Sequence, residues 1–211
     1  CHLNLGDSYR NLKDAFDRGL IREDTITEAA VKIFTARLRL GLFDEDCEYN
    51  NIPYDVIECE AHRELNKKLA RESMVLLKNN GILPLKNVNT IAVIGPNADS
   101  KEVLLGNYHG TPSKYTTLLR GIQDSFERKV LYARGCDLSV EQGIWAEQPL
   151  REAVITAQKS DVVIMCMGID PTLEGEQGDE YNGFKSGDKE TLELPDTQKK
   201  LIDETVGSVK Q

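Results

Sequence analysis

Helices around a mainly parallel sheet, an α/β fold, are what this 211-residue chain predicts, and three observations predict it. Short β-rich apolar runs recur from Thr90 onward: TIAVIG (90–95), KVLYA (129–133) and DVVIMCMG (161–168). None alternates cleanly between apolar and polar residues, which is the pattern of strands covered on both faces. Helical stretches near 116–127, 146–159 and 196–208 separate or follow them. Such strand–helix alternation calls for right-handed parallel crossovers.

The first half is helical. In SYRNLKDAFDRGLI, Leu12, Ala15, Phe16 and Leu20 recur at helical spacing, with Asp7 or Ser8 as cap and Gly19 near the stop. A second helix, roughly Glu23 to Leu40, gathers Ile26, Ala29, Ala30, Ile33, Phe34 and Leu38 on overlapping faces before Gly41 ends it. The segment DEDCEYNNIPYD (44–55) is polar and turn-rich and reads as a linker. A third helix is expected over about 56–78, carrying HRELNKKLARESMVLLKNN and stopping at NNG. Its charged run is most simply a solvated face. The three β-rich runs then begin at Thr90. Three strands are few beside the five or six of an average sheet. The chain closes on a helix, so the sheet is expected to continue beyond Gln211.

Composition narrows the function. A net charge of −9 with 40% hydrophobic residues supports a folded core and argues against a nucleic-acid binder, since no basic stripe is present to release phosphate counterions. It suits a neutral substrate such as a sugar. No stretch reaches the length of a membrane span, and no signal peptide opens the chain at Cys1. The five cysteines, Cys1, Cys47, Cys59, Cys136 and Cys166, are widely spaced without a CxxC pair, so neither zinc nor a disulfide framework is expected. Cys166 reads as a small buried hydrophobe.

The segment after the third run, GIDPTLEGEQGDEYNGFKSGDKETLELP, carries the chemistry. It stretches from Gly168 to Pro195 and holds Asp170, Glu174, Glu176, Asp179, Glu180 and Asp188. Loops at the C-terminal ends of parallel strands are where open α/β sheets put their ligand sites. Glycoside hydrolysis needs two carboxyl groups, one to protonate the leaving oxygen and one to attack or to activate water. A Glu among other acids holds its proton near neutral pH, because neighbouring negative charge raises its pKa. The plainer reading is a solvated acidic loop. A calcium site would use the same oxygens, but EF-hand spacing is absent.

Other motifs read more plainly. IAVIGPNADS starts like a dinucleotide-binding turn but places Pro96 and Asn97 where glycines are needed. Asn107, Tyr108 and His109, in LGNYHG, are candidate substrate-binding residues beside an equally good reading as a structural turn. His109 is too isolated for a metal site, and a surface hydrogen-bonding role is its default. Trp145 is a packing residue before it is a sugar platform.

Several motifs in order carry a resemblance. ARESMVLLKNNGILPL (70–85), IAVIGPNAD (91–99), LLGNYHGTPSKYTTLLRGI (104–122), VLYARGCDL (130–138), DVVIMCMGIDPTLEGE (161–176) and ELPDTQKKLI (193–202) together resemble the C-terminal domain of family 3 glycoside hydrolases. DRGLIREDTITEAAVKIFTARLRLGLFD (17–44) resembles the helices closing that family's (β/α)8 barrel. The resemblance thus implies three parts: barrel helices over 1–44, a linker and connecting helix over 45–69, and an incomplete α/β sandwich domain over 70–211. It implies an exo-acting, retaining β-glycosidase without metal or organic cofactors, its barrel supplying an Asp nucleophile and its second domain the acid/base Glu.

Carried onto this sequence, the acid/base falls on Glu176, which follows the small Gly175, with Glu174 as the alternative in LEGE. Asp188-Lys189 departs from the Asp-Arg of many relatives. GNYHGTP and DPTLEGE favour a β-xylosidase over a β-glucosidase. The implied partners are a β-linked oligosaccharide or glycoside and the barrel domain of the same polypeptide. The barrel's nucleophile segment has no match in these residues, so the chain alone is expected to be inactive. A periplasmic or secreted location is the expectation, resting on a signal peptide upstream. The competing class is a non-catalytic carbohydrate-binding or interaction module.

Overall fold

The computed structural model describes residues 7–106, 109–139, 147–173 and 191–209. The chain divides into two compact units, 1–71 and 72–211.

In the first unit, a 3-10 turn over Asp7–Asn11 leads into α1 (Leu12–Asp17), followed by α2 (Glu23–Arg39) and α3 (Glu60–Ser73). Gly19 and Gly41 hold positive φ just past α1 and α2, where the sequence placed the stops. α1 starts directly after the 3-10 turn, with Asn11 at its N-cap position making no side-chain cap bond; the side chains of Asp7 and Ser8, the predicted caps, lie outside the described residues. α3 ends at Ser73, short of the predicted 78. Met74–Leu77 is an unbroken apolar run rather than a helical stripe, so it does not extend the face of α3. Among this unit's described residues only Cys47 is buried, while Val31, Phe34, Leu38 and Leu40 are all more than half exposed.

The second unit contains the sheet. Strands β1 (Thr90–Ile94), β2 (Lys129–Ala133) and β3 (Val162–Met165) are all parallel, in the order β2-β1-β3. Ile91 stands beside Val130 on one side and Val162 on the other; Ile94 stands between Ala133 and Met165. The central strand is buried almost throughout, and the flanking strands are half-buried.

Helices α4 (Leu118–Ser125), α5 (Glu147–Gln158) and α6 (Asp196–Ser208) complete the layers. Alternation along β1 explains which face each covers. Ala92 and Ile94 point toward Ala153 and Ala157 of α5 and Leu201 of α6. Ile91 and Val93 point the other way, toward Leu119 and Ile122 of α4. The step from β1 to β2 runs one way across the sheet and the step from β2 to β3 the other. Crossovers of one hand therefore put α4 and α5 on opposite faces. Ala153 and Ala157, four apart and fully buried, let α5 lie close against the sheet. Leu201 is fully buried in the same cluster and contributes about 1.5–3 kcal/mol by leaving water.

Polar groups fasten the layers. Thr117 caps α4, its Oγ1 accepting the Arg120 N–H at 3.2 Å and donating to Asp99 Oδ1 at 2.7 Å. The cap is worth about 1 kcal/mol. At the N-terminal edge of the sheet, the Asp161 carboxylate accepts the N–H groups of Asn89 (2.8 Å) and Thr90 (2.9 Å), clipping β3 to β1. Those two hydrogen bonds hold the Asp161 carboxyl below its ordinary pKa of 3.8.

Candidate functional site

The chain leaves all three strands at one edge of the sheet, and a cleft of about 470 Å³ opens there. Pro96 and Asn97 follow β1, Arg134 and Leu138 follow β2, and Asp170 and Thr172 follow β3. With strand order 2-1-3, β1 and β3 are neighbours whose connections depart in opposite directions. Open α/β sheets bind ligands outside the carboxyl ends of the strands at such a switch point.

Close backbone approach builds the floor. Gly95 has φ +135, and a Cβ placed on it would lie 2.3 Å from the carbonyl oxygen of Cys166. No side chain fits there. The Asn97 N–H donates to that same oxygen at 3.3 Å, and the Cys166 N–H donates to Ile94 O at 2.7 Å. The IGPNAD turn thus welds the ends of β1 and β3 together instead of cradling a phosphate. Asn97 is 3% exposed, and its Oδ1 has no hydrogen-bond partner. Cys166 is buried as expected, and desolvation raises its thiol pKa.

Around this floor the walls are polar. Asp99 is held by Thr117, and Arg134 pairs with Asp137 at 3.0 Å. Tyr132 lines the cleft, and its phenol pKa is raised, first by burial and then by the negative charge of Asp99. Asp170 Oδ1 accepts both the N–H (2.9 Å) and the hydroxyl (2.6 Å) of Thr172, while the Leu173 N–H donates to Asp170 O at 3.0 Å. This turn carries the chain off β3 toward the acidic segment. The cleft is rich in carboxylate and hydroxyl groups, suited to a ligand presenting hydroxyls rather than phosphates.

Of the residues the sequence singled out, Glu174, Glu176, Asn107 and Tyr108 lie outside the described residues. Trp145 does too. His109 is exposed, and its Nδ1–H donates to the carbonyl of Gly110 at 2.7 Å. Among the described residues no group of His, Cys, Asp and Glu has the makings of a metal site. No described helix is long and apolar enough to cross a membrane.

Gln198 escaped the sequence reading. It lies 30 positions beyond Gly168 yet hydrogen-bonds it on both sides, Gly168 N–H to Oε1 (2.9 Å) and Nε2 to Gly168 O (2.7 Å). One signal was available: Gln198, Leu201 and Thr205 share one buried helical stripe, where a glutamine must find partners.

A parallel-sheet domain with a cleft at the strand ends is the class this geometry defines. Residues 74–211 match the glycosyl hydrolase family 3 C-terminal domain, and the chain belongs to that family. It is 35% identical over 208 residues to "Probable beta-D-xylosidase 7" of Arabidopsis thaliana, covering 96% of this chain and 25% of that protein. A GH3 exo-beta-xylosidase (XlnD), solved in complex with a xylobiose aziridine activity-based probe, superimposes with a TM-score of 0.77 at 31% identity. That match covers 96% of this chain and 25% of the other. A β-glucosidase from Erythrobacter marinus gives 0.71 at 29%, covering 95% and 29%. The chain spans about a quarter of the length of the curated relatives it matches.

Proposed function

We propose that this chain is the acid/base-bearing part of a retaining, exo-acting β-glycosidase, with β-xylosides preferred over β-glucosides. The observation that carries the reading is the course of the segment after β3. It leaves the sheet at the switch-point cleft, and LEGE begins at Leu173, directly after Thr172. Xylosidases among the relatives support the sugar preference.

In this reading the Asp nucleophile comes from a family 3 barrel in the same polypeptide. It attacks the anomeric carbon while Glu176 protonates the departing oxygen. Glu176, now a carboxylate, then takes a proton from the water that releases the sugar. Both carboxyl groups must stand about 5–5.5 Å apart for retention. The 211 residues alone are therefore inactive. The apolar side chains of α2, more than half exposed at Val31, Phe34 and Leu38, support a barrel as their covering partner.

The test is to assay the barrel-containing polypeptide on chromogenic β-xylosides and β-glucosides beside Glu176→Ala and Glu174→Ala. General acid catalysis contributes roughly 10²–10⁴-fold, so Glu176→Ala loses about that much on poor leaving groups. Azide restores turnover on activated ones. The same behaviour in Glu174→Ala instead moves the role to Glu174. A polypeptide that cleaves neither class, with both variants matching it, refutes the catalytic reading in favour of a carbohydrate-binding module.

A further inference from the structure

The Gln198 side chain is wholly buried where three segments converge. Its Oε1 accepts the Gly168 N–H, and its Nε2 donates to the carbonyls of Gly168 and Leu138, each at 2.7 Å. These partners leave the amide one orientation, since an N–H must face the oxygen and two carbonyls must face the nitrogen. No other side chain of this shape accepts one bond and donates two. The Gln198 backbone N–H also bonds Pro195 O at 3.0 Å, and Thr197 Oγ1 reaches Asp137 O at 3.4 Å.

The placement matters because Gly168 and Pro195 are the two feet of the acidic segment. Gln198 grips the first foot through its side chain and stands one helical turn from the second. Its third bond reaches Leu138, which lines the cleft from the β2 side. From Gly168 the backbone continues into the Asp170 turn, hydrogen-bonded as far as Leu173. One buried carboxamide therefore ties together the end of β2, the end of β3 and the start of α6.

We infer that Gln198 is a positioning residue for the acid/base, setting the stem from which the segment bearing Glu176 or Glu174 leaves the sheet. The inference rests on the acid/base reading above. Gln198 touches no substrate; it acts through the backbone of Gly168 and Leu138. Misplacing a catalytic group by about 1 Å costs on the order of a hundredfold in rate.

Two variants of the barrel-containing polypeptide test this. Gln198→Met keeps the volume and removes all three hydrogen bonds. On alkyl β-xylosides its kcat falls roughly a hundredfold with KM little changed. On dinitrophenyl β-xylosides, whose leaving group needs no proton, kcat/KM stays within about threefold, and the loss in kcat, which reports the base-assisted release of the sugar, is restored by azide. Gln198→Glu keeps two of the bonds while protonated, accepting from Gly168 and donating to one carbonyl. Its activity relative to the parent enzyme at each pH therefore rises as pH falls.

Equal loss of kcat/KM on both substrate classes, or parental kinetics in Gln198→Met, overturns the inference. Should Gln198→Met fail to fold, the Gln198→Glu ratio decides, and a flat ratio overturns it. The carboxylate variants separate the two readings. If Glu176→Ala or Glu174→Ala shows the leaving-group dependence and Gln198→Met does not, only the positioning role falls. If neither shows it, the acid/base reading falls and takes this role with it.

Discussion

Replacing Gly95 by alanine tests the close approach of β1 to β3 at their ends. The added methyl would stand 2.3 Å from Cys166 O, against 3.4–4 Å for ordinary contact, so β1 and β3 must part by on the order of 1 Å at their ends. The φ of +135 adds backbone strain of about 1–3 kcal/mol. Parting the strand ends also loosens the bonds from Cys166 N–H to Ile94 O and from Asn97 N–H to Cys166 O. At about 1 kcal/mol each, these bring the total to about 3–5 kcal/mol. With a loss of about 2–4 °C per kcal/mol for a domain of this size class, melting drops by about 6–20 °C. Gly81→Ala is the control. Its φ is +95, but nothing lies within 4 Å of the added carbon, so strain alone remains, about 1–2 kcal/mol. Calorimetry or circular dichroism on both variants of the barrel-containing polypeptide reads the difference. Equal shifts would mean that the Gly95–Cys166 approach yields freely, and the steric argument would be refuted.

Two further outcomes follow from the same packing. Leu201→Ala opens a hole in the cluster formed with Ala92, Ile94, Ala133, Ala153 and Ala157, where Leu201 is fully buried, so the loss falls in the usual range of about 2–5 kcal/mol. A urea titration checks it, and a loss below about 1 kcal/mol would contradict the packing described. For Asp161 the folded pKa lies below the ordinary 3.8, so its contribution is complete well above that pH and fades as pH falls past 3.8 through the folded value. The stability gap between the parent protein and Asp161→Ala is therefore constant at neutral pH and shrinks in acid. A gap that widened in acid would reverse the assigned shift.

Much of the architecture was legible because it rests on local pattern. Unbroken apolar runs at Thr90, Lys129 and Val162 have no amphipathic alternation, and only strands with both faces covered satisfy that. The end of α3 was misjudged because Met74–Leu77 looks helical by composition while breaking the stripe that packs a helix.

What the sequence determined by itself was the order of the elements and the family, since both are written in residues adjacent along the chain. Tertiary structure decided the rest. The strand order β2-β1-β3 follows from which neighbours pair, and that choice brings the residues following all three strands to one cleft. The need for Gly95 to lack a side chain comes from Cys166, 71 positions away, and the grip of Gln198 on Gly168 spans 30. Side-chain periodicity cannot report contacts of that range, because it registers only whether a residue faces inward, not which backbone group it will meet there.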